Sequence, residues 1–574
     1  MTESTLFEVG TAIEDVVGNL KICLQRQDYA RLKQKARTLI VRYDNPLIIA
    51  YSEELDDEEL IKLTLDTFQR VTDHWTIHML GDIINILARR PKNLITLVNN
   101  NVMDILMNVL KKQTIKEVQF ATQILNIFVI LLEYEDIKAL LERNEILNEV
   151  IPKMNNFARD KDYAVANLTI IRLCCTNEKL LKEVIKLNGA LEVVKTMNTF
   201  PKEAAVAYNG AAVLVYLLDE NSVCQKLLDS SITAILTKLL HHNNSDEKAA
   251  LELCHCLRKL IPFRKSRIEA EQQKLASYLG KTIVKHSQSN LTVVQYAFMC
   301  LIIMSTSAEC RESCRLYGAD DVIAKCIEMY AYNSAVVRDG CIALASLIYN
   351  GDYIARFVSI KAAKALSTAA KTLGDEDHKI TLRVLASAYK EATLYDVCVP
   401  SIIEYGGVDS LMMMLNYQYQ DKTIVSLVLS ALAKLSANPA SYDAFMKSNA
   451  ALVIPSIMSR YMDKHWVIVR SSCLILRNLA MDPKWRAELV AKDSFKQIVR
   501  AMVHYLRNCK SIILVSLEAI HRILSAPTIS PKMQDDRVVK ALNIVEQRFH
   551  RKSHTIATYA SDCMNWIATK PAAA

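Results

Sequence analysis

Apolar helical text returns in this chain every 43 or 44 residues, and that period limits what the chain can fold into more than any other feature. One unit reads HWVIVRSSCLILRNLAMDPKWRAELVAKDSFKQIVRAM, from His465 to Met502. Val469, Cys473, Leu476 and Leu479 lie at helical spacing and form one apolar stripe. Asp482-Pro483 ends that helix and opens the next, because Pro tolerates a first helical turn and little else. Asp493-Ser494 breaks the text again before Phe495. Taking Leu479 as an anchor, equivalent positions are Leu87, Ile130, Leu173, Leu217, Leu260, Met304, Leu347, Glu391, Leu435, Ile523 and Ile567. Glu391, in ASAYKEAT, is the weak member. No single helix of this kind buries its stripe alone, so the period predicts stacked helical repeats.

Long third helices ending in LILRNLA-like text, followed by small-residue breaks such as Asn188-Gly189-Ala190, Tyr317-Gly318-Ala319 and Tyr405-Gly406-Gly407, resemble the armadillo repeat. Other repeats use Asn101, Ser230-Ser231 or Asp493-Ser494 at the break, so the match to the armadillo turn is partial. The resemblance implies an all-α, right-handed α-solenoid of about 11–12 repeats, with HEAT-like repeats as the alternative. Residues 1–69 are expected to be an N-terminal helical cap, 70–570 the solenoid and 571–574 a disordered tail. Composition agrees, since Gly and Pro number 12 each in 574 residues and leave few helix breakers.

Most other features read as structural. Cys256, Cys300, Cys341, Cys473 and Cys563 fall inside apolar helices, where Cys packs as a small hydrophobe. No Cys-x-x-Cys pair occurs at zinc spacing, and Cys254-His255-Cys256 on a helix directs its thiols to different sides. Free thiols imply a reducing compartment. MTESTLFEVG does not read as a signal peptide, KPAAA is not a prenylation box, and runs such as NIFVILL are too short to span a bilayer. A cytoplasmic protein is expected, with nuclear or cytoskeletal association open. The acidic run Glu53–Glu59 reads as the solvated face of the cap, the alternative being a regulatory segment over a basic groove. Gly374-Asp375-Glu376-Asp377 reads as a loop.

The resemblance also implies a concave groove lined by third helices that holds extended peptides. Residues 1, 5 and 9 before each anchor share a stripe there, because each step of four advances only about 40° around the helix. In armadillo importins this stripe carries Trp at −5 and Asn at −1. Here only Asn478 matches the Asn and no Trp occupies −5, which disfavours a receptor for basic import signals. The −1 series reads Ile86, Val129, Arg172, Tyr216, Lys259, Ile303, Ser346, Lys390, Lys434, Asn478, Arg522, Trp566. Five of its twelve members are basic and none is acidic, although Lys and Arg number only 70 in 574 residues. Arg338 and Arg470 add charge at −9, while Asp82, Glu518 and Asp562 stand at −5. The candidate binding residues are therefore Arg338, Lys390, Lys434, Arg470, Asn478 and Arg522. Clustered cations in a groove concentrate anionic partners, and the expected ligand is an extended acidic or phosphorylated protein segment, as catenin-type armadillo domains hold.

No phosphate loop, Gly-x-Ser-x-Gly elbow, His-Glu-x-x-His or dinucleotide fingerprint occurs, so no catalysis, cofactor or metal is expected. His74-Trp75 and His241-His242 read as exposed residues at helix ends. A net charge of +8 on 64.8 kDa is modest, and no DNA or RNA partner is expected. The favoured function is a protein-interaction scaffold. Alternatives are a client chaperone resembling the UCS proteins, a small-GTPase regulator of the all-armadillo type, and a structural component of a cilium, cytoskeleton or junction.

Overall fold

The computed structural model describes residues 15–42, 49, 53–112, 117–134, 146–348, 354–374, 378–527 and 529–571. Among these residues no β-strand occurs, and Ile529 makes an isolated bridge contact, its N–H donating to the Pro571 carbonyl at 3.1 Å. The chain divides into two compact units, Met1–Tyr278 and Leu279–Ala574. Each is an all-α solenoid. The readings made for residues 1–10, 375–377 and 572–574 fall outside the described residues.

Every repeat closes on a long helix. In the first unit these are α1 (His74–Ala88), α2 (Val118–Leu132), α3 (Lys161–Cys174), α4 (Ala204–Leu217) and α5 (Glu247–Leu260). In the second they are α6 (Leu291–Thr306), α7 (Ser334–Ile348), α8 (Lys379–Thr393), α9 (Lys422–Leu435), α10 (Trp466–Leu479), α11 (Lys510–Leu524) and α12 (His554–Thr569). Within each unit, successive long helices pack side by side. Several start on a side-chain cap that satisfies first-turn N–H groups. Asp73, Asp160, Asp246, Asn290 and Asp421 serve α1, α3, α5, α6 and α9 in this way.

Burial fixes the repeat register. From α1 to α11 the buried positions recur 11, 10, 7, 6, 4 and 3 residues before one fully or nearly fully buried residue. That residue is Leu131, not Ile130, in α2; Cys174, not Leu173, in α3; and Ala392, not Glu391, in α8. Ile130 and Glu391 are only half-buried. In α12 the positions 6 and 3 before Ile567, Ser561 and Met564, are half-buried.

A second marker gives the same register. Asn101, Asn188, Ser231, Lys274, Gly318, Lys361, Gly406, Asn449 and Asp493 all adopt left-handed backbone, with φ between 52° and 76°. Each stands 14 residues beyond a corrected anchor, from Leu87–Asn101 through Cys174–Asn188 and Ala392–Gly406 to Leu479–Asp493. The residue types differ, yet the turn between a repeat's first and second helices keeps one backbone shape. Repeat length therefore varies only between this turn and the long helix. The longest case contains the segment from Gly374 to His378, between Lys361 and α8.

The acidic run near the N-terminus is engaged locally. Asp56 accepts from Arg90 Nε at 2.8 Å, and Asp57 caps the helix Glu58–Arg70 by accepting from the Leu60 N–H. Glu59 takes hydrogen bonds from Lys21 and Gln25. Arg90 is buried, and its guanidinium holds the Asp56 carboxyl below the usual carboxylate range. No helix among the described residues is long and apolar enough to cross a membrane.

Candidate interaction surface

With the register corrected, the −1 series becomes Ile86, Ile130, Leu173, Tyr216, Lys259, Ile303, Ser346, Glu391, Lys434, Asn478, Arg522, Trp566. Arg172 and Lys390 leave it and Glu391 enters, so the cationic bias of this row shrinks to Lys259, Lys434 and Arg522 against one acid. The reason is physical: a one-residue shift rotates a side chain by about 100° around the helix. Lys390 thus points one position away from the expected stripe, and it is half-buried.

Three polar members of the row do one job. Lys259 Nζ donates to the Val215 carbonyl at 2.7 Å, Asn478 Nδ2 to the Ala433 carbonyl at 3.2 Å, and Arg522 Nη1 to the Arg477 carbonyl at 3.0 Å. Each acceptor lies two residues before the anchor of the preceding repeat. These are last-turn carbonyls, which lack a full set of intrahelical partners. The row therefore works as a set of staples between neighbouring long helices. Asn478 is committed to it: it is buried, donates also to Ser436 Oγ at 3.0 Å, and its Oδ1 accepts from Arg477 Nη2 at 2.9 Å. Both ends of the Asn478 amide, expected from the sequence to face a ligand, are thus hydrogen-bonded within the chain. Arg522 is half-buried, and burial beside Arg477 lowers its pKa.

The −9 row carries the sharper cationic pattern. Arg338 on α7 pairs with Asp339 at 2.8 Å, and Arg470 on α10 donates through Nε to Ser511 Oγ at 3.0 Å. The corrected register adds Arg383 on α8, whose Nη2 lies 2.8 Å from Asp421 Oδ2. Sequence reading missed Arg383 because the anchor was placed one residue early. Lys434 is exposed on α9, and neither its ammonium nor that of Lys390 has an ion pair or side-chain hydrogen bond among the described residues. The six expected binding residues thus occupy five successive helices, α7 to α11, of the second unit. Arg470 and Arg522 each bond across the α10–α11 junction, where Arg477 also pairs with Glu518 at 2.7 Å, whereas Asn478 bonds back across the α9–α10 junction.

Thiol chemistry finds no foothold. Fourteen of the fifteen cysteines are buried and Cys509 is half-buried. Burial pushes the Cys254 thiol up to about 12 and Cys256 well above its ordinary value, so neither is a ready thiolate. Cys256 Sγ instead donates to the Ala211 carbonyl at 3.2 Å.

No family model and no curated protein matches this sequence. Solved structures do. A β-catenin structure, reported as showing a conserved phosphorylation switch that controls the interaction between cadherin and β-catenin, aligns with a TM-score of 0.60 at 13% identity. That alignment covers 88% of this chain and 100% of the other. The fold resembles that of β-catenin. An engineered protein aligns with a TM-score of 0.50 at 16% identity, over 73% of this chain and 99% of its own. At these identities the likeness is one of fold.

Proposed function

We propose that the chain is a non-catalytic protein-interaction scaffold whose second unit binds an extended acidic or phosphorylated segment across α7 to α11. The observation that carries this reading is Lys434, exposed in the −1 row of α9, with Lys390 one position off that row on the adjacent α8, both with ammonium groups that no described residue neutralises. Arg338, Arg383 and Arg470 add guanidinium groups that keep N–H donors beyond their recorded partners, and a forked guanidinium suits carboxylate and phosphate oxygens. Arg522 contributes positive charge at the floor, and Asn478 supports the surface from beneath. The β-catenin neighbour's reported interaction with cadherin is governed by phosphorylation, which agrees with a partner of this chemistry. The reading requires no cofactor and places the protein in the cytoplasm.

The test compares wild type with Lys390→Glu/Lys434→Glu in affinity capture from cell lysate, with and without phosphatase treatment. Circular dichroism checks that both keep the same helicity. Loss of a partner from the variant, at matched helicity, is the expected result. Recovery of the same partners by both proteins would overturn the reading.

A further inference from the structure

The first unit brings together a group that no motif in the sequence announces. His74 and His78 are four residues apart in the first turns of α1, so their rings lie on one helix face. Glu117, 43 residues after His74, is the N-cap residue of α2. One repeat period therefore places its carboxylate over both imidazoles. Glu117 Oε2 lies 3.3 Å from His74 Nε2 and 3.7 Å from His78 Nε2, and the three donor atoms fall within 4.8 Å of one another. A tetrahedral ion held at about 2.0–2.2 Å by nitrogen and oxygen has donor–donor edges of about 3.4 Å. The two imidazole–carboxylate separations match that edge.

The surrounding residues fix which nitrogen is available. Gln123 Nε2 donates to the His78 carbonyl at 2.9 Å and to Asp82 Oδ1, which sets the orientation of its amide. Its Oε1 then faces His78 Nδ1 at 3.1 Å and accepts a hydrogen bond from the N–H there. A neutral His78 consequently turns its Nε2 lone pair toward the Glu117 carboxylate, and two lone-pair donors facing one point suit a shared cation. Such a hydrogen bond from the distal ring nitrogen is the usual way a protein orients a metal-binding His. Phe120, buried beneath, packs edge-on against His78 with centroids 4.8 Å apart and lies 6.0 Å from His74. The opposite side opens onto a cleft of about 600 Å³ that Lys33 and Arg37 also line.

We propose that His74, His78 and Glu117 form a divalent transition-metal site of the zinc class, with its fourth position open to this cleft. Two imidazoles and one carboxylate favour Zn²⁺ and its neighbours over Ca²⁺ or Mg²⁺, which take mainly oxygen ligands. Water or an anion from the cleft completes the coordination. The sequence expectation of no metal is revised accordingly: His-x-x-x-His acquires its third ligand only across a repeat boundary.

Isothermal titration of the chelator-stripped full chain with Zn²⁺, Ca²⁺ and Mg²⁺ tests the site. One equivalent of Zn²⁺ is expected to bind in preference to the other two ions. His78→Ala and Glu117→Gln should each weaken that binding by at least about 100-fold, and the supporting Gln123→Leu by about 10- to 100-fold. Glu117 is exposed, so Glu117→Gln leaves the packing intact. A His241→Ala/His242→Ala variant, which removes two sequence-adjacent histidines elsewhere in the same unit, should bind as wild type does. Absence of Zn²⁺ binding at micromolar concentration would overturn the proposal. Binding unchanged in Glu117→Gln, or lost only in the His241/His242 variant, would do the same.

Discussion

Lys259 Nζ lies 2.7 Å from the carbonyl oxygen of Val215, a residue one repeat earlier in the first unit. The same ammonium also meets Asp219 Oδ1 at 2.6 Å, so one side chain ties the end of α4 to α5 twice. Arg522 does the equivalent for α10 and α11 in the second unit. A charged donor to a carbonyl contributes more than a neutral one, and removing it leaves a last-turn carbonyl without its partner. Lys259→Met, which keeps the aliphatic stem, should therefore lower unfolding stability by about 1–2 kcal/mol. Urea denaturation followed by circular dichroism measures this, and an unchanged midpoint would show that water replaces the staple without cost.

The left-handed turn supplies an opposite pair of changes. Lys361 holds φ at 54°, where an L side chain crowds the following carbonyl, whereas Gly406 holds φ at 76° with no such penalty. Lys361→Gly should stabilise by about 0.5 kcal/mol, the relief of crowding being partly offset by a more disordered unfolded chain. Gly406→Ala should destabilise by about 1 kcal/mol or more. An added Cβ at Gly406 meets the flexible end of the Lys371 side chain at 3.1 Å and Asp409 Oδ2 at an ordinary 3.8 Å, so backbone strain is the cause. Thermal unfolding of both variants beside wild type gives the two signs directly.

The same turn shows where sequence reasoning stops. The period is legible because each long helix buries its positions on one pattern, and apolar residues fill most of that pattern. The exact register was not legible at α8, since the true anchor is the small Ala392 and the preceding repeat segment is longer there. A single anchor residue carries too little apolar signal to fix a helix rotation, whereas seven buried positions together do. That one-residue error moved Lys390 into the groove row and hid Arg383. The left-handed turn is not legible where Lys274 and Lys361 occupy it, because neither advertises positive φ as glycine does. Asn478 is ambiguous for another reason: an Asn on an exposed stripe and an Asn bonded into a junction look alike until the neighbouring carbonyls are placed.

His255 gives a pH dependence with a definite sign. Burial, and then Arg258 and Lys259, push its folded pKa down to about 4 from an ordinary 6.5. A depressed pKa means that the unfolded state takes up the proton first as pH falls. The contribution to stability is complete above about pH 6.5 and is lost progressively down to about pH 4. His255→Gln should flatten the fall of the urea midpoint across that window relative to wild type. Parallel curves for the two proteins would show that other groups govern acid unfolding.

Asn478 separates a structural role from a binding role. Its amide donates to the Ala433 carbonyl and to Ser436 Oγ, while its oxygen accepts from both Nε and Nη2 of Arg477. Asn478→Leu keeps the volume but leaves those polar groups without their partner inside the junction. Unpaired buried polar groups each cost about 1–3 kcal/mol, so a loss of about 2–3 kcal/mol is expected. Arg477 depends on the same oxygen, so the cost of Arg477→Met combined with Asn478→Leu should fall short of the sum of the single changes. Urea titrations of the two single variants and the double variant measure that coupling. Once assayed at a temperature where each variant stays folded, capture of an acidic partner by Asn478→Leu should match wild type, whereas Lys390→Glu/Lys434→Glu should lose it. Additive stabilities, or a partner lost at full helicity in Asn478→Leu, would place Asn478 in the binding surface rather than beneath it.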